Sequence, residues 1–198
     1  MSLMQLIGQY LDGPALDAIG QQAGLPRDKV EQALPPALAL LTSSLSNNAR
    51  EGGASGMMNA VERDHDGSLL DSLPGLLGSM AAQHGGGILG HLMGAKQDTA
   101  AEGVARAGGI DKGSAMKLLV ALAPVVMAAL GKQKRQKGLG ESDLADFLGG
   151  ERAQAEAALP SGAAGLTKLL DADGDGSVMD EITEIGGGLL GGLFGGKK

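Results

Sequence analysis

Residues 19–25 read IGQQAGL, and the same pattern returns at residues 104–110 as VARAGGI, with the apolar, small and glycine positions in step. Beyond each turn the two stretches stay aligned without a gap and place apolar side chains at helical spacing. The matching pairs are Ala33 with Leu118, Leu34 with Leu119, Ala37 with Leu122, Leu41 with Val126, and Leu45 with Leu130. This duplication predicts an all-α protein built from two pseudo-repeats of a helical hairpin with glycine-rich connections.

An acidic segment follows each hairpin and suggests how the chain is divided. ERDHDGSLLDSL at residues 62–73 would close a first repeat spanning residues 1–95. DADGDGSVMDEI at residues 171–182 would close a second repeat spanning residues 96–184. The remaining residues 185–198 form a glycine-rich tail of low complexity.

Prolines predict where the helices are interrupted. Asp12 or Gly13 is expected to cap a new helix that has Pro14 in its first turn. Pro35 and Pro36 are expected to kink or split the long helix of the first hairpin, because proline lacks the N–H that a helix interior needs.

Glycines and caps give two further expectations. The three glycines at residues 85–87 are expected to break the helix between His84 and His91. Each imidazole is therefore predicted to be a surface or cap residue rather than a metal ligand or a catalytic base. A short helix is predicted from Ser142, a good capping residue, to Leu148.

Composition narrows the function classes. The chain has 198 residues, 43% of them hydrophobic, and should therefore fold, with a core of aliphatic residues and Met because only 2% are aromatic. The lack of cysteine excludes disulfides, thiolate metal sites and cysteine nucleophiles. The net charge of −7 makes nucleic acid an unlikely partner and favours cations. We find no catalytic constellation in the sequence, so the protein is predicted not to be an enzyme.

The strongest chemical pattern is a calcium-binding loop at residues 171–182. Calcium takes six to eight oxygen ligands, and acidic residues stand at the first, third and fifth positions with Gly176 at the sixth. Ile182 occupies the twelfth position, where a closing Glu is usual, so one of the two acids before it has to close the shell. The predicted ligands are Asp171, Asp173, Asp175, Ser177 through its carbonyl, Asp180 and Glu181. Alternatively, the segment is only an acidic turn.

The segment at residues 62–73 is a weaker copy of this loop. It would place Glu62, Asp64 and Asp66 at the first, third and fifth positions. Glu has a longer side chain than Asp and fits the tight turn badly. The alternative is that Asp64 or Asp66 caps the following helix.

The turn after residue 22 also resembles a helix-turn-helix, which would make DNA the partner. Its second helix offers only Arg27 and Lys29 against Asp28 and Glu31, so a hairpin used for packing is the favoured interpretation. The basic run KQKRQK at residues 132–137 is expected to be a solvated helix end.

No segment is predicted to cross a membrane. The apolar run from Leu118 to Leu130 contains Pro124 and is too short for the roughly 30 Å of hydrocarbon. The N-terminus has no basic residue before its apolar positions, unlike a secretory signal. A soluble, cytoplasmic protein is expected by default, with export by another route left open.

Several motifs together carry a family resemblance. They are AGLPRDKVEQALPPAL, AVERDHDGSLLD, ILGHLMG, LLVALAPVVMAALGK and LLDADGDGSVMDEI. The chain resembles the bacterial domain-of-unknown-function family 937, related to YidB-like proteins, from Leu3 to about Gly192. The resemblance implies an all-helical bacterial protein without an assigned reaction.

These observations lead to three functional hypotheses. The first is a non-enzymatic interaction or scaffold protein with an unknown protein partner, in which Ca²⁺ at residues 171–182 has a structural role. The second is self-assembly into a homo-oligomer or filament through the helical repeats and the tail. The third, which the charge disfavours, is DNA binding.

Overall fold

The structure is a computed structural model that describes residues 1–64, 70 and 81–159. Every regular element in this part of the chain is helical, which confirms the all-α class. The α-helices are α1 (Leu3–Tyr10), α2 (Gly13–Ala23), α3 (Arg27–Asn48), α4 (Ala54–Asp64), α5 (Gly86–Met93), α6 (Gln97–Gly108), α7 (Lys112–Lys137) and α8 (Glu141–Ala157). Two π-helical segments, Ala49–Gly53 and Ala81–Gly85, lead into α4 and α5, and the short 3-10 helix Gly94–Lys96 leads into α6.

The helix starts follow local capping chemistry. The carboxylate of Asp12 accepts a hydrogen bond from the Ala15 N–H at 3.2 Å, and Pro14 lies in the first turn of α2. This confirms the predicted break between α1 and α2. Asp111 caps α7 in the same way, through the Ser114 N–H at 2.9 Å.

The two predicted hairpin turns have the same local structure. Gly24 and Gly109 end α2 and α6 with φ of 70° and 61°, a left-handed conformation that favours glycine. The next N–H reaches back to the helix in both turns. Leu25 donates to the Gly20 carbonyl at 2.8 Å, and Ile110 donates to the Ala105 carbonyl at 3.1 Å. The organisation into two complete repeats stays a prediction.

Helix α7 lies at the centre of the fold and packs against α1, α2, α3, α5 and α6. The first helix of each hairpin packs on the second helix of the other, α2 on α7 and α6 on α3. The crossing of α6 and α3 is close, because a Cβ added to Gly108 would lie 2.6 Å from the Cβ of Ala33. The core is thus built on small and aliphatic side chains, as the composition predicts.

Lys112–Lys137 is also the one helix in the described residues that is long and apolar enough to cross a membrane. Most of its apolar window, 72%, is buried among the other helices. Core helices of soluble proteins have the same length and composition, so this helix is weak evidence for a membrane span.

The long helices continue through their prolines, so Pro35 and Pro36 do not split α3, and a kink there stays a prediction. Pro35 and Pro36 lie inside α3, and Pro124 lies inside α7. Pro36 and Pro124 are buried, so both helices are held along their length by packing against neighbouring helices. This tertiary packing outweighs the lost backbone hydrogen bonds.

The C-terminal helix of the described chain is longer than predicted. It begins at Glu141 and continues beyond the expected end at Leu148 to Ala157. Leu144, Leu148 and Ala155 are buried, and the helix packs on α3 and α4. Gly149 and Gly150 are tolerated inside the helix because its buried face continues past them to Ala155.

The basic run at residues 132–137 is only partly a solvated helix end. The Lys132 ammonium hydrogen-bonds the Tyr10 hydroxyl and lies 4.7 Å from the centre of its ring. The Lys137 ammonium lies 4.4 Å from the centre of the Phe147 ring. The end of α7 therefore contacts α1 and α8.

Two buried serines in α3 lead to a stability prediction. The hydroxyls of Ser43 and Ser46 have no hydrogen-bond partner in the part of the chain that the structure describes, whereas the Thr42 hydroxyl donates to the Leu38 carbonyl at 2.8 Å. Because a buried unpaired hydroxyl costs about 1–3 kcal/mol, we expect Ser43→Ala and Ser46→Ala each to raise the free energy of unfolding by about 1 kcal/mol. Urea denaturation measures this change.

The adjacent Thr42→Val provides the matched control for these variants. It removes a hydroxyl that does have a partner, so it should leave the stability unchanged or lower it by about 0.5–1.5 kcal/mol. Serine variants that lose stability to the same extent as Thr42→Val would contradict the prediction.

Candidate functional site

The predicted calcium ligands cannot be located in the structure. Asp171, Asp173, Asp175, Ser177, Asp180 and Glu181 all lie outside the described residues. The calcium site therefore stays a prediction from sequence.

The weaker acidic segment begins differently from the predicted loop. Helix α4 extends to Asp64, so Glu62 and Asp64 belong to its last turn rather than to a loop. The Glu62 carboxylate pairs with the ammonium of Lys134 on α7. Among residues 1–64, 70 and 81–159, no group of three or more His, Cys, Asp or Glu side chains is placed to hold a metal ion.

A half-open cleft with a volume of about 730 Å³ lies between α4 and the helical stretch from Ala81 to Met93. Its floor is formed by Met57 and Met127, whose exposed fractions are 6% and 4%. Ile88 and Leu92 of α5 are half-buried and form an apolar wall. The cleft therefore offers recessed apolar surface rather than an apolar patch on the outside.

The rim of the same cleft is polar. Arg63 from the last turn of α4 lines the cleft together with His84 and His91, and Asn48 and Gln83 add amide groups. Every ionisable side chain described in the lining is thus of the basic type. Neither imidazole has a hydrogen-bond partner among the described residues, so both rings can donate to a ligand.

The two histidines share this cleft because the glycines between them do not break the helix. The π-helical segment Ala81–Gly85 continues directly into α5. A spacing of seven residues then places His84 and His91 on one face, about 10 Å apart along the axis. The prediction that they are surface residues is correct, since both are exposed, but the expected break between them is wrong.

Packing against α7 explains why the glycines stay helical. Gly85 is buried, and a Cβ on it would overlap the Val120 carbonyl oxygen and lie 2.9 Å from Val120 Cγ1. The backbone at this glycine therefore rests directly on α7. The spacing of the histidines was the only sequence signal for the cleft, and the assumed break concealed it.

A buried carboxylate, which no sequence pattern indicated, holds the N-terminus to the fold. Glu151 of α8 is 3% exposed, and its Oε2 accepts a hydrogen bond from the Leu3 N–H at 2.6 Å. Burial raises the pKa of the Glu151 carboxyl above its ordinary value, and the Leu3 N–H and the charges of Lys137 and the N-terminal amine oppose this rise. Gln133 adds a hydrogen bond from its amide to the Met1 carbonyl at 3.1 Å.

Together, the helical body and the cleft define an all-α bundle protein with an open, basic-rimmed cavity. Residues 5–133 match the family model described as "Bacterial protein of unknown function (DUF937)", and the chain belongs to this family. The match covers the first hairpin, the second hairpin except the last residues of α7, and all the cleft residues named above, and it ends before α8 and the predicted calcium loop. No curated protein and no solved structure matches the chain.

Proposed function

We propose that the protein is a non-enzymatic interaction protein whose C-terminal acidic loop binds Ca²⁺ as a structural ion. The observation that carries the calcium proposal is the spacing of Asp171, Asp173 and Asp175 followed by Gly176. Three carboxylates within five residues repel one another, and a divalent cation relieves that repulsion.

The described part of the chain ends in a packed segment, before the predicted loop begins. Helix α8 packs on α3 and α4, and the Arg152 guanidinium at its C-terminal half donates to the Asn47 side chain at 2.7 Å. Leu159, which follows the helix, is still part of the core, with 9% exposed.

Calorimetric titration with CaCl₂ tests the calcium site. We expect heat of binding in the wild type, and a melting temperature that rises with calcium, because a ligand of the folded state stabilises it. The double variant Asp173→Ala with Asp175→Ala should lose both effects.

A double variant in the helical body provides the control. Asp28 and Asp146 are exposed acids of α3 and α8, so Asp28→Ala with Asp146→Ala removes the same charge away from the loop. This control should keep the wild-type heat. Absence of heat in the wild type, or equal heat in both double variants, would overturn the calcium proposal.

Charge pairing in the first hairpin favours packing over DNA binding. Arg27 lies 3.1 Å from Glu31 and 3.9 Å from Asp17, so its charge is compensated within the fold. In the second hairpin, Lys112 lies 2.9 Å from Asp98 and 3.1 Å from Glu102. Helices that neutralise their own cations offer little attraction to phosphate.

The surface of the described body does not favour self-assembly through the helices. In residues 1–64, 70 and 81–159 the one large hydrophobic side chain that is strongly exposed is Met1, at 62%. Homo-oligomers would then depend on segments such as the tail at residues 185–198. Sedimentation velocity with and without calcium distinguishes this alternative, since a monomer under both conditions would exclude it.

A further inference from the structure

Two observations meet at the cleft between α4 and α5: its recessed apolar floor and its basic rim. We propose that this cleft binds an amphipathic carboxylate, a molecule with one carboxylate group and an unbranched apolar chain. The chain would lie over Met57 and Met127, and the carboxylate would be held at the rim by His84, His91 and Arg63.

The shape of the cleft favours a narrow apolar chain over a protein surface. The volume of about 730 Å³ is within the range of sites for small molecules. Its most apolar residues lie at the floor and are almost fully buried, so a flat partner would not reach them. Methionine side chains adapt to the shape of an apolar ligand, because they are unbranched and flexible.

The rim determines the charge of the ligand. The chain carries 23 Asp and Glu against 16 Lys and Arg, yet the described lining has only an arginine and two histidines as ionisable groups. Imidazole and guanidinium N–H groups are the donors that a carboxylate accepts. Arg63 also makes another interaction in the structure, so the imidazoles are the groups on which recognition of the carboxylate mainly depends.

A metal ion does not fit the same residues. Along the helix the backbones of His84 and His91 are separated by about 10 Å, whereas two nitrogens bound to one Zn²⁺ lie within roughly 4 Å of each other. No Asp, Glu or Cys from the described residues lines the cleft to complete such a site. A carboxylate needs no such closed set of ligands, because its two oxygens can accept from separate donors.

Two neighbouring glycines allow the cleft to be blocked with a matched control. Gly87 lines the cleft and Gly86 does not, while both are exposed residues of α5 with no atom within 4 Å of an added Cβ. Gly87→Leu should therefore fill the cleft without disturbing the fold. Gly86→Leu adds the same side chain to the same helix outside the cleft.

The experiment is calorimetric titration of the full chain with dodecanoate below its micelle concentration. We expect binding by the wild type and by Gly86→Leu, and an affinity at least about tenfold lower for Gly87→Leu. The double variant His84→Gln with His91→Gln should weaken dodecanoate binding about tenfold while leaving the affinity for the neutral analogue dodecanol unchanged.

Any one of three results would overturn the proposal. They are that the wild type does not bind dodecanoate, that it binds dodecanoate and dodecanol with equal affinity, or that the two glycine variants bind dodecanoate with equal affinity. Circular dichroism of each variant establishes that it is folded, and the exposed histidines provide a test that does not depend on the glycine variants. None of these results depends on whether the C-terminal loop binds calcium.

Discussion

Replacing Gly85 with alanine is expected to lower the free energy of unfolding by about 1–3 kcal/mol, whereas Gly86→Ala is expected to raise it by about 0.5–1 kcal/mol. A Cβ on Gly85 would overlap the Val120 carbonyl oxygen, and the backbone of the central helix α7 cannot move aside cheaply. A Cβ on Gly86 meets no atom within 4 Å, so alanine there only removes the entropy that glycine has in the unfolded chain.

Urea denaturation followed by circular dichroism measures both changes. The variants differ by one position in the same helical stretch, so effects of helix propensity cancel in the comparison. We expect the transition midpoints to move in opposite directions with the same slope, which indicates a change in stability without a change in the compactness of the unfolded state. If Gly85→Ala were as stable as Gly86→Ala, the close approach to α7 would be disproved.

The same pair of variants connects the packing of the fold to the cleft. The close contact of Gly85 with α7 fixes the position of the helical stretch that carries His84 and His91. Met127 of α7 forms part of the floor of the cleft. Pushing this stretch away from α7 would move one side of the cleft relative to the other. Gly85 therefore determines the shape of the cleft, although it does not contact a ligand there.

Local signals were enough to predict the helical class and several helix boundaries. Asp12 and Pro14 mark the start of α2, and Gly24 and Gly109 mark the ends of α2 and α6, because each acts through its own backbone conformation or through the nearest N–H groups. Such interactions span only a few residues, so they can be recognised from the sequence alone.

Signals that depend on distant contacts were missed. Pro35 and the three glycines at residues 85–87 were expected to interrupt helices, but packing of α3 and α5 against neighbouring helices overrides these preferences. His84 and His91 could have been recognised as one site only if that helix had been assumed. The predicted calcium loop rests on local spacing alone, and it lies outside the described residues.

Glu151 is the clearest case of a residue whose role no local pattern indicates. It lies in a stretch of α8 that also contains Arg152 and Glu156. This stretch has the composition of a solvent-exposed helix face. Its partner, the N–H of Leu3, is 148 positions away in the chain. Only the folded structure brings the start of α1 against the middle of α8.

Replacing Glu151 is expected to have the second large effect, and one that depends on pH. Glu151→Ala should be less stable than Glu151→Gln by about 1–3 kcal/mol, because alanine leaves the buried Leu3 N–H without an acceptor and glutamine can still accept. Urea denaturation at neutral pH measures this difference. Equal stability of the two variants would show that the hydrogen bond to Leu3 contributes nothing.

The pH dependence follows from the direction of the pKa shift. Burial raises the pKa of the Glu151 carboxyl above its ordinary value of 4.5, so the folded protein holds the proton more tightly than the unfolded chain does. The stability that this group contributes is therefore fully present below the ordinary pKa and is lost as the pH rises through the folded-state pKa. Glu151→Gln carries no titratable group, so the wild type should lose stability relative to this variant as the pH rises from about 4.5.

Glu141→Gln is the control for this titration. Glu141 begins the same helix and is exposed, so its replacement removes one carboxylate without affecting a buried contact. The difference in stability from the wild type should change with pH much more for Glu151→Gln than for Glu141→Gln. If both differences had the same pH dependence, or if the wild type gained stability relative to Glu151→Gln with rising pH, burial would not dominate at Glu151. The hydrogen bond from Leu3 and the charges of Lys137 and the N-terminal amine would then outweigh it, and the contact between α1 and α8 would act as an ordinary ion pair.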